Sequence, residues 1–166
     1  MTVDTERTLL VLRHAKSDWS GGEADIDRTL NPRGQGQAAE VGGWLAEQFR
    51  TIDAAVVSPA TRARATWALV SAELASSPEA RIDERAYAAS VTDLVAIVRD
   101  LPDDQRTVIL VAHNPGLEEL VHLLSGEDIT MPTAALAVLT LPGAWSEAAP
   151  STASLRAWGR PPSTNP

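Results

Sequence analysis

The sequence predicts an α/β fold: three layers, α/β/α, around a mostly parallel open sheet, with an antiparallel edge hairpin near the C-terminus. Three observations lead there. Short unbroken apolar runs (Leu9–Leu12, Ala54–Val57 and Val108–Ala112) have the length and composition of parallel strands covered on both faces. Between them lie longer stretches whose apolar residues recur every three or four positions, each the buried stripe of one helix. Strands alternating with helices form βαβ units. In the last quarter the pattern changes, with two strand candidates flanking Pro142-Gly143 and a loop of small residues.

Taken in order, Leu9–Leu12 is the first strand. The turn Asn31-Pro32-Arg33-Gly34 then starts a helix with Ala38, Val41, Leu45 and Phe49 on one face. Strand Ala54–Val57 leads to a helix striped by Ala63, Trp67, Val70 and Leu74, with Ser58 expected as its cap and Pro59 in its first turn. Leu94, Ile97, Val98 and Leu101 mark a third helix, Val108–Ala112 a third strand, and Leu117, Leu120, Val121 and Leu124 a fourth helix. Ala135–Leu141 and Ser154–Trp158 are the hairpin strands, and residues 161–166 are expected to pass from ordered to frayed. A length of 166 residues without internal repeats implies one domain over 1–166, with its core at about 8–160.

Composition removes several functions. Fourteen Lys and Arg against 22 Asp and Glu give a net charge of -8, which speaks against a general nucleic-acid or anionic-membrane binder. A small basic pocket within an acidic molecule is still compatible with that balance. With no cysteine, disulfide scaffolds, thiol catalysis and cysteine-ligated metals are excluded. The apolar runs are far shorter than the roughly 18–20 residues of a membrane span, and Met1–Thr8 is polar and acidic, unlike a signal peptide. A cytoplasmic protein is expected, with no nucleic-acid or membrane partner.

Functional residues of open α/β sheets gather beyond the carboxyl ends of the strands. The first apolar run enters Arg13-His14-Ala15-Lys16-Ser17, the second enters Ser58-Pro59-Ala60-Thr61-Arg62, and the third enters His113-Asn114-Pro115-Gly116. Two of the three histidines and two arginines thus occupy equivalent strand ends. Two guanidiniums offer fixed donors to a phosphate and stay charged at any working pH. A neutral imidazole can attack phosphorus, and a second one, protonated, can stabilise the oxygens that gain charge. Such a set needs neither cofactor nor metal. Arginines would repel a cation, so a metallohydrolase reading of His14 and His113 with nearby carboxylates is weak.

These motifs resemble those of the histidine phosphatase superfamily, also called phosphoglycerate mutase-like. Leu9–Ser17 with Arg13-His14-Ala15 looks like its opening strand and catalytic motif. Ser58-Pro-Ala-Thr-Arg62-Ala-Arg-Ala-Thr66 is similar to its second signature, and Val111-Ala112-His113-Asn114 to its third. The short length, Arg28–Gly34 and His-Asn-Pro-Gly are similar to the compact SixA-like branch. The resemblance implies His14 as nucleophile through a phosphohistidine, with Arg13, Arg62 and His113 as the phosphate clamp. Ser17 and Asn114 are further candidates for phosphate binding. Ala15 stands where many members carry glycine, and the turn is expected to keep φ below zero.

Larger relatives carry an insertion with a glutamate that protonates the leaving group. Here only Arg81–Ser90 occupies that place; Glu84 is the nearest match, with Asp83 and Asp18 as competitors. A site without an acid favours good leaving groups, such as phosphohistidine and acyl phosphates. The expected function is a metal-independent phosphatase acting on phosphohistidine proteins or other phosphomonoesters and phosphoramidates. The alternative is a non-catalytic phosphate- or phosphoprotein-binding module. The five tryptophans are read as core and hairpin packing, with Trp19 the one candidate among them for lining the pocket, and Thr133 and Ala134 are candidates for its rim. Thr66 packs back toward Arg62, Arg64 is a solvated helix charge, and His122 is structural or exposed.

Overall fold

At the centre of the sheet lies β1 (Arg7–Arg13), flanked by β4 (Thr107–Ala112) in parallel and β5 (Leu136–Leu141) in antiparallel orientation. The parallel half continues through β2 (Ala54–Val57) to β3 (Ala80–Ile82), and the antiparallel half through β6 (Ser154–Gly159) to β7 (Pro162–Thr164). The order across the sheet is β3-β2-β4-β1-β5-β6-β7. The computed structural model describes residues 6–164, so the expectations for residues 1–5 and 165–166 lie outside it.

Side chains alternate across a strand, and β1 shows what this does. Leu9 and Val11 join the apolar cluster under α3 (Val91–Arg99) and α4 (Gly116–Ser125), with Leu94, Ile97, Leu117 and Leu120. Leu10 and Leu12 face the other way, toward Val41 and Leu45 of α1 (Pro32–Gln48) and Trp67 and Val70 of α2 (Thr61–Ala72). These side chains are almost wholly buried, and the sheet is sandwiched between two helix pairs, as expected. Among the described residues no helix is long and apolar enough to cross a membrane.

Local chemistry sets the helix ends and their spacing. Asn31 Oδ1 accepts from the Gly34 amide at 2.8 Å, with Pro32 in the first turn, so the predicted turn does start α1. A Cβ at Gly42 would lie 2.6 Å from the Val70 carbonyl oxygen, and glycine there lets α1 approach α2 closely. Ser90 and Asp93 form a reciprocal capping box on α3.

Three features differ from the sequence reading. Ser58 is not the cap of α2, which begins at Thr61 with Ala60 at the N-cap and no side-chain bond. The antiparallel edge hairpin is present as β5 and β6, but a further strand, β7, pairs along the outer side of β6. Finally, β3 and single 3-10 turns at Asp25–Asp27, Glu84–Ala86 and Trp145–Glu147 went unpredicted. Arg81 and Ile82 of β3 are exposed, so that strand carries no apolar run.

Candidate active site

Because β1, β2 and β4 are parallel neighbours, their carboxyl ends open on one edge of the sheet. His14 follows β1, His113 follows β4, and Arg62 sits in the first turn of α2 after β2. The two imidazole centroids are 5.1 Å apart, close enough for both rings to meet one tetrahedral oxyanion. Arg62 Nε donates to His14 Nε2 at 3.4 Å. Arg13 projects from the end of β1, and its Nη1 donates to the Met131 carbonyl at 3.0 Å. These four residues line a cleft of about 360 Å³, together with Lys16, Ser17, Trp19, Asp25, Arg28, Asn114 and Thr133. Four cationic side chains face one carboxylate there, giving a basic pocket in a molecule of net charge -8.

The proton on His14 can be placed from its partner. Nδ1 lies 2.8 Å from the Ala15 carbonyl, which can only accept, so Nδ1 carries the hydrogen and Nε2 keeps its lone pair. Burial pushes the His14 pKa down to about 4, with Arg62, Arg13 and Arg28 adding to the shift. His113 is pushed down further, to about 3, by burial and then by His14 and Arg62. Burial thus favours the neutral form of both rings, and a protonated His113 requires an anion beside it. An oxyanion between them would add the opposite charge and raise both values.

Ser58 accounts for part of that arrangement. Its Oγ lies within hydrogen-bond reach of His113 Nε2, at 2.7 Å, and accepts from the Ala60 amide at 3.2 Å, so one serine anchors both the imidazole and the turn before α2. Sequence reading gave this serine a capping role, and the structure gives it the second histidine instead. His113 Nδ1 is buried without a partner.

The loop after β1 is tightly held. Ala15 N–H donates to Thr66 Oγ1 at 2.9 Å, and Lys16 N–H donates to Gln37 Oε1 at 3.1 Å. An isolated bridge pairs Ser17 with Leu30, which brings Arg28 alongside. Ala15 is not among the positive-φ residues, as expected. Of the other candidates, Ser17 is buried at the cleft wall, whereas Asn114 uses Nδ2 to donate to Met131 O at 2.8 Å, bracing the carbonyl that also holds Arg13. Trp19 stands at the rim, 78% exposed, and Thr133 lines it as well. The Ala134 amide donates to the His14 carbonyl at 3.0 Å. His122 is exposed, paired with Asp128 at 2.9 Å, and lies away from the cleft.

None of the three carboxyls considered as acid lines the cleft. Glu84 is exposed on its 3-10 turn, Asp83 is tied to Arg85 at 2.8 Å, and Asp18 holds Ser20. The segment 81–90 instead sends Tyr87 inward; its ring rests edge-on against His113 with centroids 5.6 Å apart. The carboxylate in the cleft is Asp25, which the sequence reading missed along with Arg28 and Tyr87. The bond from Tyr87 and the Arg62 and Arg28 guanidiniums hold the Asp25 pKa at about 2, so it is ionised at any working pH. Two signals pointed there: the i, i+3 pair Asp25 and Arg28 ahead of the Asn31 turn, and the chain's single tyrosine in the segment expected to carry the acid.

Comparison with known proteins gives consistent relatives. A family model described as histidine phosphatase superfamily (branch 1) matches residues 9–91. An uncharacterised Mycobacterium tuberculosis protein is 36% identical over 155 residues, covering 87% of this chain and 96% of that protein. A structure from Nakamurella multipartitia, provisionally named phosphohistidine phosphatase SixA, superposes with a TM-score of 0.84 at 29% identity, covering 94% of this chain and 96% of its own. A protein histidine phosphatase SixA complexed with tungstate gives a TM-score of 0.80 at 22% identity, covering 91% and 95%, a likeness of fold.

Proposed function

The chain belongs to the histidine phosphatase superfamily, branch 1, and on that premise we propose that it hydrolyses phosphoramidates, phosphohistidine above all, through a phosphoryl group held transiently on His14. The observation that carries this reading is the unprotonated His14 Nε2 beside Arg62 Nε, with a second imidazole 5.1 Å from the first. The lone pair attacks phosphorus in line with the bond to be broken. Arg13, Arg62 and His113 hold the oxygens around it, supplying positive charge where the transition state needs it. The P–N bond breaks as Nε2–P forms, and water then displaces His14 to release inorganic phosphate.

The leaving group supplies the selectivity. Asp25 is ionised and none of Glu84, Asp83 or Asp18 reaches the cleft, so the site holds no carboxylic acid ready to donate a proton. An alkyl phosphomonoester would leave as an alkoxide. A phosphorylated imidazole takes up its own proton on the second nitrogen near neutral pH and departs neutral. The name of the Nakamurella relative favours the same substrate, and the exposed rim suits a phosphate displayed on a protein or another bulky carrier.

The test is a substrate comparison in the presence of a chelator. Phosphohistidine or acetyl phosphate should be turned over with kcat/KM at least ~100-fold above that of an alkyl phosphomonoester, the low end of what a general acid contributes. Small sugar phosphates turned over better than phosphohistidine would contradict the reading. Phosphate binding without turnover of any of these substrates would assign the chain to the non-catalytic alternative.

A further inference from the structure

Resting on that reading of His14 and Arg62, we propose that Asp25 is a positioning residue for the phosphate clamp: it grips the far edge of the Arg62 guanidinium and turns Nε toward the phosphoryl group, while Tyr87 holds Asp25 in place. Asp25 engages Arg62 twice, its backbone carbonyl accepting from Nη1 at 2.7 Å and its Oδ2 from Nη2 at 3.1 Å. The same Oδ2 accepts from the Tyr87 hydroxyl at 2.6 Å, and Oδ1 accepts from Arg28 Nε at 3.2 Å. With both terminal nitrogens held, Nε is the edge left to face His14.

Each neighbour of Asp25 is itself fixed. The Arg28 guanidinium stacks on the Trp19 ring, 3.3 Å from its centroid, and the Tyr87 ring abuts His113. Tyr87 therefore touches both arms of the site, His113 through its ring and Arg62 through Asp25. An arginine side chain has several rotatable bonds, and a guanidinium gripped on one edge presents a single orientation on the other. Arg62 is buried, whereas the Asp25 side chain is 50% exposed, so the carboxylate reaches in from the rim and leaves the core undisturbed.

A second role for this carboxylate is to lower the positive charge of the cleft. The two roles predict effects of opposite sign. Removing a negative charge beside an anion site strengthens anion binding, whereas releasing Arg62 weakens it. The measurement is the affinity of the whole chain for tungstate by calorimetry, with thermal melting to follow the fold. Asp25→Asn should weaken tungstate binding by ~10-fold, the scale of a charged hydrogen bond. Tyr87→Phe, which changes no charge, should weaken it by a smaller factor in the same direction. In an Arg62→Ala background, Asp25→Asn should cause no further weakening, because its effect passes through Arg62.

Unchanged or tighter binding by Asp25→Asn would overturn the proposal, as would equal weakening with and without Arg62. Wild-type protein that fails to bind tungstate would overturn it together with the clamp. Because binding requires no turnover, the two readings can fail separately. Tungstate weakened through Arg62 in a protein with no hydrolytic activity would refute the phosphatase and leave the positioning intact.

Discussion

The amide of Ala15 donates to the Thr66 hydroxyl oxygen across 2.9 Å, and that hydroxyl donates in turn to the carbonyl of Arg62 at 2.7 Å. The peptide following His14 is thereby tied to the helix turn that presents Arg62. Thr66 has no exposed surface, so no water can take over either bond. Thr66→Val keeps the shape and leaves a buried amide unsatisfied. It should cost about 1–3 kcal/mol in urea unfolding and lower kcat, whereas Thr66→Ser should restore most of both. Full stability in the valine variant would show the link to be unimportant.

Two glycines of α1 make a paired test. A Cβ at Gly34 would run into the carbonyl of Lys16, in the loop after His14, while a Cβ at Gly36 would meet nothing within 4 Å. Gly34→Ala should lower the melting temperature and the activity together. Gly36→Ala should stabilise by about 0.4–1 kcal/mol through helix propensity and a less free unfolded chain. Equal behaviour of the two variants would refute the close approach of α1 to the loop.

The depressed histidines set the pH response. With His14 at about 4 and His113 at about 3, both rings stay neutral through pH 5 in the free protein, and ring titrations followed by NMR should show this. The His14 lone pair is then available until the pH falls to about 4, so under the proposed mechanism the acid limb of kcat/KM should lie near 4, once substrate ionisation is removed. The unfolded chain binds these protons from about 6.5 downward. It holds more protons than the folded state between about 6.5 and 3, so stability should fall as pH drops through that window. A ring of residue 14 or 113 titrating near 6.5 in the unliganded protein would contradict the burial argument.

What the sequence made legible follows from locality. The strands β1, β2 and β4 each contain an unbroken apolar run, so the ends carrying Arg13, His14, Arg62 and His113 can be read and placed side by side. A serine ahead of a helix usually caps it, and only the sheet order reveals that His113, at the end of the neighbouring strand, lies within reach of Ser58. By residue type Glu84 is the nearest match to an acid in the segment 81–90, but a 3-10 turn has no periodicity to show which side chain faces the site. Asp25 and Arg28 enter through the Ser17–Leu30 bridge, a contact between two irregular segments that carries no hydrophobic period. Strand β7 holds a proline and few apolar residues, and only its pairing with β6 defines it.

The most direct test of the covalent mechanism is brief incubation with a radiolabelled phosphoramidate, denaturation, and mapping of the protein-bound phosphate. Acid-labile, alkali-stable label should appear on His14 in the wild-type protein and be absent from His14→Ala, which should also lose turnover. Normal turnover by His14→Ala, or label on any other residue, would contradict the assignment of His14 as the nucleophile.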